Sequence, residues 1–586
     1  MSTRTFLILA IIIGIAVRLW RIATLPFPPN GDELAFGYYG WSLLHFGTDE
    51  YGSFLPFNFP SIGDYKYPGL AYLNIIPAAL FGLSEITARF WSVISGIALI
   101  PLIFLLTNLL FSNRSLALTA AFITALSPWS IILSRLGYEN HPALTLTVAG
   151  FVCLLSIKRQ HKKFQTPLFI LSFILLALAT FTYAAERIFI PLMLITLIGL
   201  SFSKSLSFSM LKKPAVILLI ILSVTVGISL IPWQNRGRAE AVIWKGITAS
   251  QQNRLQELYI EAGTSPVRLP AQLTRLFHNK IRISVEDFLY RYSNHFSPKF
   301  LFFEGEAAIE RIPDMGMLPL ILILFLPLGL LFFLTPQHKQ ASLFILAWLL
   351  FAPLPSALTF GEPHINRASL MIPAITIISA FGFWQFINLF SGRKKLWLGI
   401  SLCLIFFLNS LYSLNQIFVQ KPVNKPWVSE QVNKELVQTV FQLKNQYQAV
   451  VLPKDEYIFF LFYGKISPQE FLQGATIKPA IRQNSWDRVE RFDNIFFNMG
   501  FDCPKSGKLN ALYICKGDNI PQNAKILKVI RYLDTLPAYT LLEFIPISKM
   551  PQPLPLLPDR LRYMVDLESD PKLPDGIIPK DSSRLW

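Results

Sequence analysis

Long apolar runs separated by short polar segments occupy most of the first 416 residues. Eleven of these runs are long enough to cross about 30 Å of hydrocarbon as helices. They lie near residues 5–22, 88–110, 115–133, 142–157, 167–183, 188–203, 214–232, 317–335, 341–357, 369–390 and 396–416. A shorter run at 69–83 begins at Gly69 and contains Pro77, so we interpret it as a helix along the membrane surface. The pattern predicts a polytopic α-helical membrane protein with about eleven transmembrane helices.

The composition excludes two other classes of protein. Of the 586 residues, 52% are hydrophobic and 15% are charged, whereas an ordinary soluble domain has roughly 25% charged residues. The 49 phenylalanines give too much apolar surface for a chain that stays disordered in water. A soluble globular protein and a disordered protein are therefore both excluded.

The positive charge of the chain carries information about topology. The formal net charge is +17, from 53 Lys and Arg against 36 Asp and Glu. Under the positive-inside rule, basic residues mark the cytoplasmic ends of the spans. With eleven spans and the N-terminus inside, these ends collect Arg4, Arg114, Lys158, Arg159, Lys162, Lys163, Lys204, Lys212, Lys213, Lys339, Arg393, Lys394 and Lys395. The charge therefore indicates a multi-pass protein of the cell membrane, and nucleic-acid binding loses its only support.

This topology places three larger segments outside, at 23–87, 233–316 and 417–586. We predict a transmembrane domain over 1–416 and an extracytoplasmic α/β domain with a Pro-rich tail over 417–586, where strand-like runs alternate with a helical pattern. The first span is predicted to be an uncleaved anchor, because no small-residue cleavage site follows it. Cys503 and Cys515 both lie outside, where a disulfide can form, and the sequence leaves their pairing open.

Acidic residues of the membrane part indicate where chemistry could occur. Apart from the 233–316 loop, all of them lie at the outer ends of spans or in the first outer loop. An ion-coupled transporter usually needs ionisable groups near the midplane, so this pattern disfavours one. Asp32 and Glu33 follow a Pro/Gly turn and begin a surface helix. Two interpretations stay open: the carboxylates cap the helix N-terminus, or one of them is a general base for a hydroxyl.

Cations at the same outer surface are suited to bind a phosphate. Lys66 lies where the first outer loop returns to the membrane, and His364 and Arg367 are three positions apart at the mouth of the tenth span. Anchoring at the lipid headgroups is the alternative for all three. Further polar residues on the same side are candidates for binding a substrate, namely Tyr65, Arg135, Tyr138, Glu139, Glu186 and Arg187.

Several common cofactor motifs are missing from the sequence. It contains no Gly-rich nucleotide loop, no H-E-x-x-H, and no paired Cys or His at zinc spacing. We therefore predict no required cofactor, and the sequence leaves dependence on a divalent metal open.

The polar motifs, taken in order, resemble those of GT-C glycosyltransferases of the protein O-mannosyltransferase and aminoarabinose transferase type (glycosyltransferase family 39-like). The resemblance covers about residues 1–416. It rests on GDELAFGYYG, GDYKYPGLAYL, SRLGYENH, TYAAERIF, YRYSNHFSPKFLFFEGE and PHINRASLMIP. It implies that the transmembrane domain is a GT-C catalytic domain.

The resemblance also implies site residues and substrates. The family's catalytic acid falls on Asp32, with Glu33 beside it, and its phosphate-binding lysine falls on Lys66, although tyrosines flank that lysine here. The donor is then a sugar on a polyprenyl phosphate at the outer face. The reaction is an inverting transfer to a hydroxyl of a protein, lipid or glycan acceptor. We expect the cations to lie across the reacting carbon from Asp32.

Two other functional classes stay open at this point. A polysaccharide ligase or polymerase would share the spans and the outer cations but use a lipid-diphosphate donor without a carboxylate base. A lipid or sugar transporter would leave its substrate chemically unchanged.

Overall fold

A computed structural model of the chain describes residues 2–26, 28–61, 64–202, 211–230, 248–265, 267, 270–306, 312–334, 338–359, 363–428, 430–453, 456–478, 488–497, 503–516 and 520–545. The predicted Pro-rich tail and Glu362 of the tenth-span mouth lie outside the described residues.

Helices form most of the first 416 residues, where the apolar runs lie. In the N-terminal half they are α1 (Thr3–Leu19), α2 (Gly31–Phe46), α3 (Pro68–Leu73), α4 (Ile75–Phe81), α5 (Glu85–Phe111), α6 (Arg114–Leu126), α7 (Pro128–Ser134), α8 (Asn140–Ser156), α9 (Lys162–Thr182) and α10 (Ala184–Ser201). Further along they are α11 (Lys212–Leu230), α12 (Ala249–Thr264), α13 (Ala271–Phe277), α14 (Lys280–Asn294), α15 (Leu322–Phe332), α16 (Lys339–Phe351), α17 (Leu354–Ala357), α18 (Met371–Asn388) and α19 (Gly392–Asn415).

Local sequence explains where several of these helices begin. The Ser84 side chain accepts from the Thr87 amide at the start of α5, and Asn113 accepts from the Leu116 amide at the start of α6. Such caps satisfy amides that have no partner inside the helix. Pro128 occupies the first position of α7, where a residue without an amide proton costs nothing.

Six helices of the described residues are long and apolar enough to cross a membrane. They are Glu85–Phe111, Lys162–Thr182, Ala184–Ser201, Lys339–Ala357, Met371–Asn388 and Gly392–Gln420. A seventh candidate arises if α6 and α7, which are bent by 55° relative to each other, form one broken span. The described chain is thus mostly helical with several candidate spans, and the count of eleven stays a prediction.

The first outer segment folds against the start of the bundle. After α2 come a two-stranded hairpin, β1 (Phe59–Ser61) with β2 (Asp64–Lys66), and then α3 and α4. The surface helix predicted at 69–83 is thus two short helices, with Asn74 between them. The buried Asn74 side chain donates to the Phe36 carbonyl of α2 at 3.0 Å. A Cβ at Gly40 would lie 2.5 Å from the Asn74 backbone, so α2 and this turn pack with no room for a side chain.

The C-terminal region contains a mixed sheet with three helices. The described strands are β3 (Ala449–Val451), β4 (Ala475–Lys478), β5 (Arg488–Phe492), β6 (Ile495–Phe496), β7 (Ala511–Lys516), β8 (Ala524–Arg531) and β9 (Pro537–Phe544). They pair in the order β4-β5-β6-β3-β7-β9-β8, with β3 parallel to both of its neighbours. The helices are α20 (Asn433–Leu443), α21 (Tyr457–Gly464) and α22 (Pro468–Gly474). Cys503 and Cys515 form a disulfide, which answers the question that the sequence left open.

This sheet shares its hydrophobic core with α2. Buried side chains of α2 such as Phe36 belong to one cluster with Leu436 of α20, Phe460 of α21 and Leu541 of β9. The Tyr38 hydroxyl donates to the Ile466 carbonyl at 2.8 Å. This cluster therefore crosses the boundary predicted at residue 416, and it is separate from the hydrophobic core of the helical bundle.

Candidate active site

The first turn of α2 is capped by a residue that precedes the predicted carboxylate pair. Asn30 is the N-cap, and its side chain accepts from the Glu33 amide at 3.1 Å. In return, Glu33 accepts from the Asn30 amide at 3.3 Å, which completes a capping box. The capping interpretation had placed Asp32 at the N-cap. The structure corrects this position, since α2 begins at Gly31 and Asp32 is its second residue.

Asp32 pairs with Lys66. The Lys66 ammonium donates to the Asp32 carboxylate at 2.7 Å, and the side chains are 4% and 45% exposed respectively. The hairpin causes this contact, because β2 carries Lys66 back to the N-terminus of α2. Lys66 was expected across the reacting carbon from Asp32. In this structure it lies on the carboxylate itself.

Glu33 lies in a closed hydrogen-bond network. Its carboxylate is fully buried and accepts from Arg89 Nε at 2.7 Å, from Arg89 Nη2 at 3.2 Å and from the Gly137 amide at 2.7 Å. A buried carboxylate with this many donors is stabilised as a charged group and is shielded from solvent. These contacts fix the first turn of α2, and the role of Glu33 as the neighbour that supports Asp32 stays a prediction.

Arg135 also has a structural role. Its guanidinium is fully buried and donates to the backbone carbonyls of Val17, Arg18, Trp20 and Leu25, at distances from 2.6 to 3.3 Å. These carbonyls end α1 and lead into the next turn, where the helix itself supplies no partner. The guanidinium of Arg135 thus holds the end of α1 in place, and contact between Arg135 and a substrate stays a prediction.

Around Lys66, the first outer segment meets the turn between α9 and α10. The Arg187 guanidinium lies 4.4 Å from the centre of the Tyr67 ring, and its Nε donates to the Thr180 carbonyl at 3.0 Å. A Cβ at Gly69 would lie 2.4 Å from the Thr182 hydroxyl, so the backbone approaches this turn closely. Lys66 and Arg187 are therefore held near one another through Tyr67. Tyr65, in β2, is half-buried beside them.

A second polar cluster contains His364 and Arg367. Arg367 donates to the Thr359 hydroxyl at 2.9 Å, and Arg291 of α14 donates to the Thr359 carbonyl at 3.1 Å. His364 Nδ1 lies 3.4 Å from the buried Glu306 carboxylate. Sequence analysis had not singled out Arg291 or Glu306. The feature of the sequence that pointed to these two residues was the unusual number of charged residues in the loop before α15.

His364 is not a cation near neutral pH. Burial, and then the charges of Arg367 and His295, lower the pKa of His364 to about 3. The imidazole is therefore neutral at pH 7 and can offer a hydrogen bond but no positive charge. Phosphate binding by His364 stays a prediction, and Arg367 is the member of the pair that carries a fixed positive charge.

Buried aromatic side chains connect the segment of His364 and Arg367 to neighbouring helices of the bundle. The ring of Phe189, one turn after Glu186 in α10, lies 4.9 Å from the ring of Trp348 near the end of α16. Trp348 Nε1 in turn donates to the Leu370 carbonyl at 2.8 Å. The same segment also contacts α7, where Trp129 Nε1 donates to the Ile365 carbonyl at 3.1 Å. The segment with His364 and Arg367 therefore connects to the helices that carry the first cluster.

Tyr138 joins α2 to the start of α8. Its hydroxyl is hydrogen-bonded to the side chain of Asn30, the N-cap of α2. Glu139, the next residue, is buried, and so is Glu186 in the first turn of α10. Among the described residues, no group of three or more His, Cys, Asp or Glu is placed to hold a metal ion. The polar site thus consists of carboxylates and cations at the ends of α2, β2, α8 and α10.

A family model matches the N-terminal part of the chain, which includes α2 and the first polar cluster. The model described as dolichyl-phosphate-mannose-protein mannosyltransferase matches residues 8–242. This match confirms, over that segment, the resemblance to this group of glycosyltransferases that the sequence motifs indicate. No curated protein matches the chain.

Solved structures were also compared with the chain. ArnT from Cupriavidus metallidurans in the apo state is 9% identical, with a TM-score of 0.48 over 92% of this chain and 97% of that one. The same protein bound to undecaprenyl phosphate is 10% identical, with a TM-score of 0.47 over 94% and 99%. A mycobacterial arabinofuranosyltransferase AftD is 10% identical, with a TM-score of 0.38 over 93% of this chain and 42% of that one.

Proposed function

We propose that this chain is a membrane glycosyltransferase that moves a sugar from a polyprenyl-phosphate donor to an acceptor hydroxyl at the outer face of the cell membrane. The transfer inverts the anomeric configuration, and Asp32 is the general base. The observation that carries the proposal is the Asp32–Lys66 pair, in which a half-exposed carboxylate and a nearly buried ammonium meet at 2.7 Å. The family description, which names a polyprenyl-phosphate sugar, supports the same class of donor.

The pair contains the two charges that such a reaction needs. The acceptor oxygen attacks the anomeric carbon while the bond from that carbon to the phosphate oxygen breaks. The bonding electrons leave with the polyprenyl phosphate, and the acceptor proton goes to Asp32. Lys66 and Arg367 stabilise the leaving phosphate, which then needs no general acid.

Contact between Lys66 and Asp32 links donor binding to the base. A phosphate competes with Asp32 for the Lys66 ammonium, since both offer anionic oxygens. When Lys66 turns to the phosphate, the Asp32 carboxylate gains room to accept a proton. The donor thereby prepares the base before the acceptor reacts, and acceptor hydroxyls meet a paired carboxylate when no donor is bound.

A transfer assay with the whole chain tests this proposal. Full-length protein in proteoliposomes is incubated with isotope-labelled polyprenyl-phosphate sugars and with acceptor extracts of protein, lipid and glycan. Mass spectrometry identifies the labelled product, and NMR gives its anomeric configuration. We expect an inverted product that requires the monophosphate donor.

Each alternative class gives a different result in this assay. Transfer only from a lipid-diphosphate sugar indicates a ligase or polymerase and contradicts the proposal. Movement of an unchanged donor across the bilayer, with no covalent product, indicates a transporter and contradicts it equally.

A further inference from the structure

Two buried polar side chains behind the Asp32–Lys66 pair lack hydrogen-bond partners. Glu186 is 0% exposed, and neither of its carboxylate oxygens bonds to any residue that the structure describes. Asn140 is 1% exposed, and within the same described ranges both atoms of its amide are without a partner. Buried polar groups are normally hydrogen-bonded, because leaving one unpaired costs free energy. This pair therefore calls for a specific explanation.

Contacts place these groups next to the reaction site on two sides. Glu186 is followed by Arg187, whose guanidinium packs on Tyr67, and Tyr67 follows Lys66. Asn140 follows Glu139, whose charge acts on Glu186. Glu139 in turn follows Tyr138, which is bonded to the α2 N-cap Asn30. One series of contacts therefore ends beside Lys66 at the end of β2, and the other ends at the N-cap of α2, two residues before Asp32.

Helix capping does not explain Glu186. A carboxylate in the first turn of α10 gains from the helix dipole. Glu33 has the same location in α2, yet it is satisfied by Arg89 and by the backbone amides of Asn30 and Gly137. At a site this deeply buried, the dipole alone does not replace such donors. Glu186 is thus a buried acceptor whose donors come from outside the described residues.

Carboxylate and amide side chains together suit the hydroxyls of a sugar ring. A carboxyl group offers two oxygen atoms to hydrogen-bond partners, and the Asn amide both accepts and donates. Each sugar hydroxyl also donates and accepts, so neighbouring hydroxyls can satisfy both side chains at once. A metal ion fits less well, since the described residues hold no cluster of metal ligands.

We infer that Glu186 and Asn140 recognise hydroxyls of the donor's sugar ring and thereby select which sugar is transferred. This inference rests on the proposed function and assigns these residues to donor specificity. Lys66 and Arg367 hold the phosphate, Asp32 accepts the proton, and the Glu186 side of the site holds the ring. A site built around a substrate hydroxyl discriminates strongly against an analogue that lacks it, because the buried partner is then left unpaired.

Donor analogues that each lack one hydroxyl test this inference. The wild-type chain is first assayed with polyprenyl-phosphate sugars to find a parent donor, and then with each monodeoxy form of that donor. We expect one deoxy form to lower kcat/KM by about ten- to hundredfold. In Glu186→Gln, kcat/KM for the parent donor should fall by a similar factor, while kcat/KM for that same deoxy form should equal the wild-type value.

Controls separate recognition from folding. Glu470→Gln changes a carboxylate in the first turn of α22, far along the chain and exposed, and should leave the donor preference unchanged. Asn140→Ala provides a second variant, which should weaken discrimination at the same or a neighbouring hydroxyl. It keeps the test informative if Glu186→Gln does not fold.

The outcomes distinguish this inference from the proposed function. If the wild type transfers no polyprenyl-phosphate sugar at all, the proposed function fails. If the wild type does transfer one, the comparison of the variants decides. When both variants lower kcat/KM by equal factors for the parent and the deoxy donors, or leave it unchanged for both, the residues do not bind the sugar hydroxyls and the inference is overturned.

Discussion

Two faces of the first turn of α2 show how differently neighbouring carboxylates behave. Asp32 is 45% exposed and faces Lys66, whereas Glu33 is fully buried and faces Arg89. Successive residues of a helix point about 100° apart, so one turn presents one carboxylate to the site and the other to the protein interior. Residue type and sequence position are nearly the same. The surroundings decide which one can exchange a proton with a substrate.

This contrast predicts two kinds of mutational effect. Changes on the Asp32 face should alter kinetics and leave the fold intact, because the Asp32 side chain is 45% exposed. Changes on the Glu33 face should alter folding, because they leave a charge buried without its partner.

Arg89→Met should strongly destabilise the protein. The substitution leaves the Glu33 carboxylate buried without its guanidinium, which costs about 3–5 kcal/mol. Thermal unfolding of the purified chain in detergent should show a large drop in Tm or a loss of folded protein. As a control, Lys434→Met removes the half-exposed ion pair with Glu85, and should cost about 0–1 kcal/mol. Equal Tm values for the two variants would show that the Glu33 face is not a structural centre.

Lys66→Met should impair donor use while the protein stays folded. One lost charge-assisted hydrogen bond to a phosphate raises the donor KM or lowers kcat by about tenfold or more. Steady-state kinetics with varied donor and saturating acceptor would measure the change. Arg367→Met should act in the same direction. Donor kinetics that match the wild type in Lys66→Met would assign this lysine to headgroup anchoring.

His364→Gln should have a small effect that depends little on pH near neutrality. Because the pKa of His364 is lowered to about 3, the imidazole is uncharged from pH 6.5 to 8. The donor KM should therefore follow the same pH profile in the variant and in the wild type, with less than a threefold difference. A wild-type KM that falls between pH 7.5 and 6, while the variant KM does not, would show a titrating cation at this position.

The lowered pKa of His364 also determines whether the folded protein gains or loses stability in acid. Between pH 6.5 and 3 the unfolded chain protonates this histidine before the folded one does, so the native state loses stability as the pH falls. In the Gln variant this contribution is absent. Unfolding measured at pH 7 and pH 5 should therefore show a larger loss in the wild type than in His364→Gln.

The helical membrane character could be predicted from the sequence, because it follows from local signals, whereas the contact between Asp32 and Lys66 was not predicted. Apolar runs indicate candidate spans, and the order of Asp32, Lys66 and Arg367 motifs matches a family pattern. Arg89 was not predicted as the partner of Glu33, because 56 residues separate them. A single arginine at the start of a long apolar run was the available signal, since charges there need a buried partner.

The sequence did not show which of the polar side chains are buried in the protein interior. In the sequence, Arg135 and Arg187 are both cations near helix ends. In the structure, the Arg135 guanidinium donates to carbonyls at the end of α1, whereas the Arg187 guanidinium packs on Tyr67. Likewise, the shared core of α2 and the C-terminal sheet joins residues more than 400 positions apart. Such long-range packing decides whether a polar residue faces a site or the interior, and no local pattern encodes it.

The most direct test of the central claim is the rate of sugar transfer by Asp32→Asn. Asparagine keeps the size and polarity of the side chain but cannot take the acceptor's proton. With Asp32 as general base, the rate at saturating substrates should fall by about 10²–10⁴, while Tm stays near the wild-type value and the donor binds at least as tightly, because its phosphate no longer competes with Asp32 for Lys66. A purified Asp32→Asn protein that transfers sugar at close to the wild-type rate would contradict the assignment of Asp32 as the base.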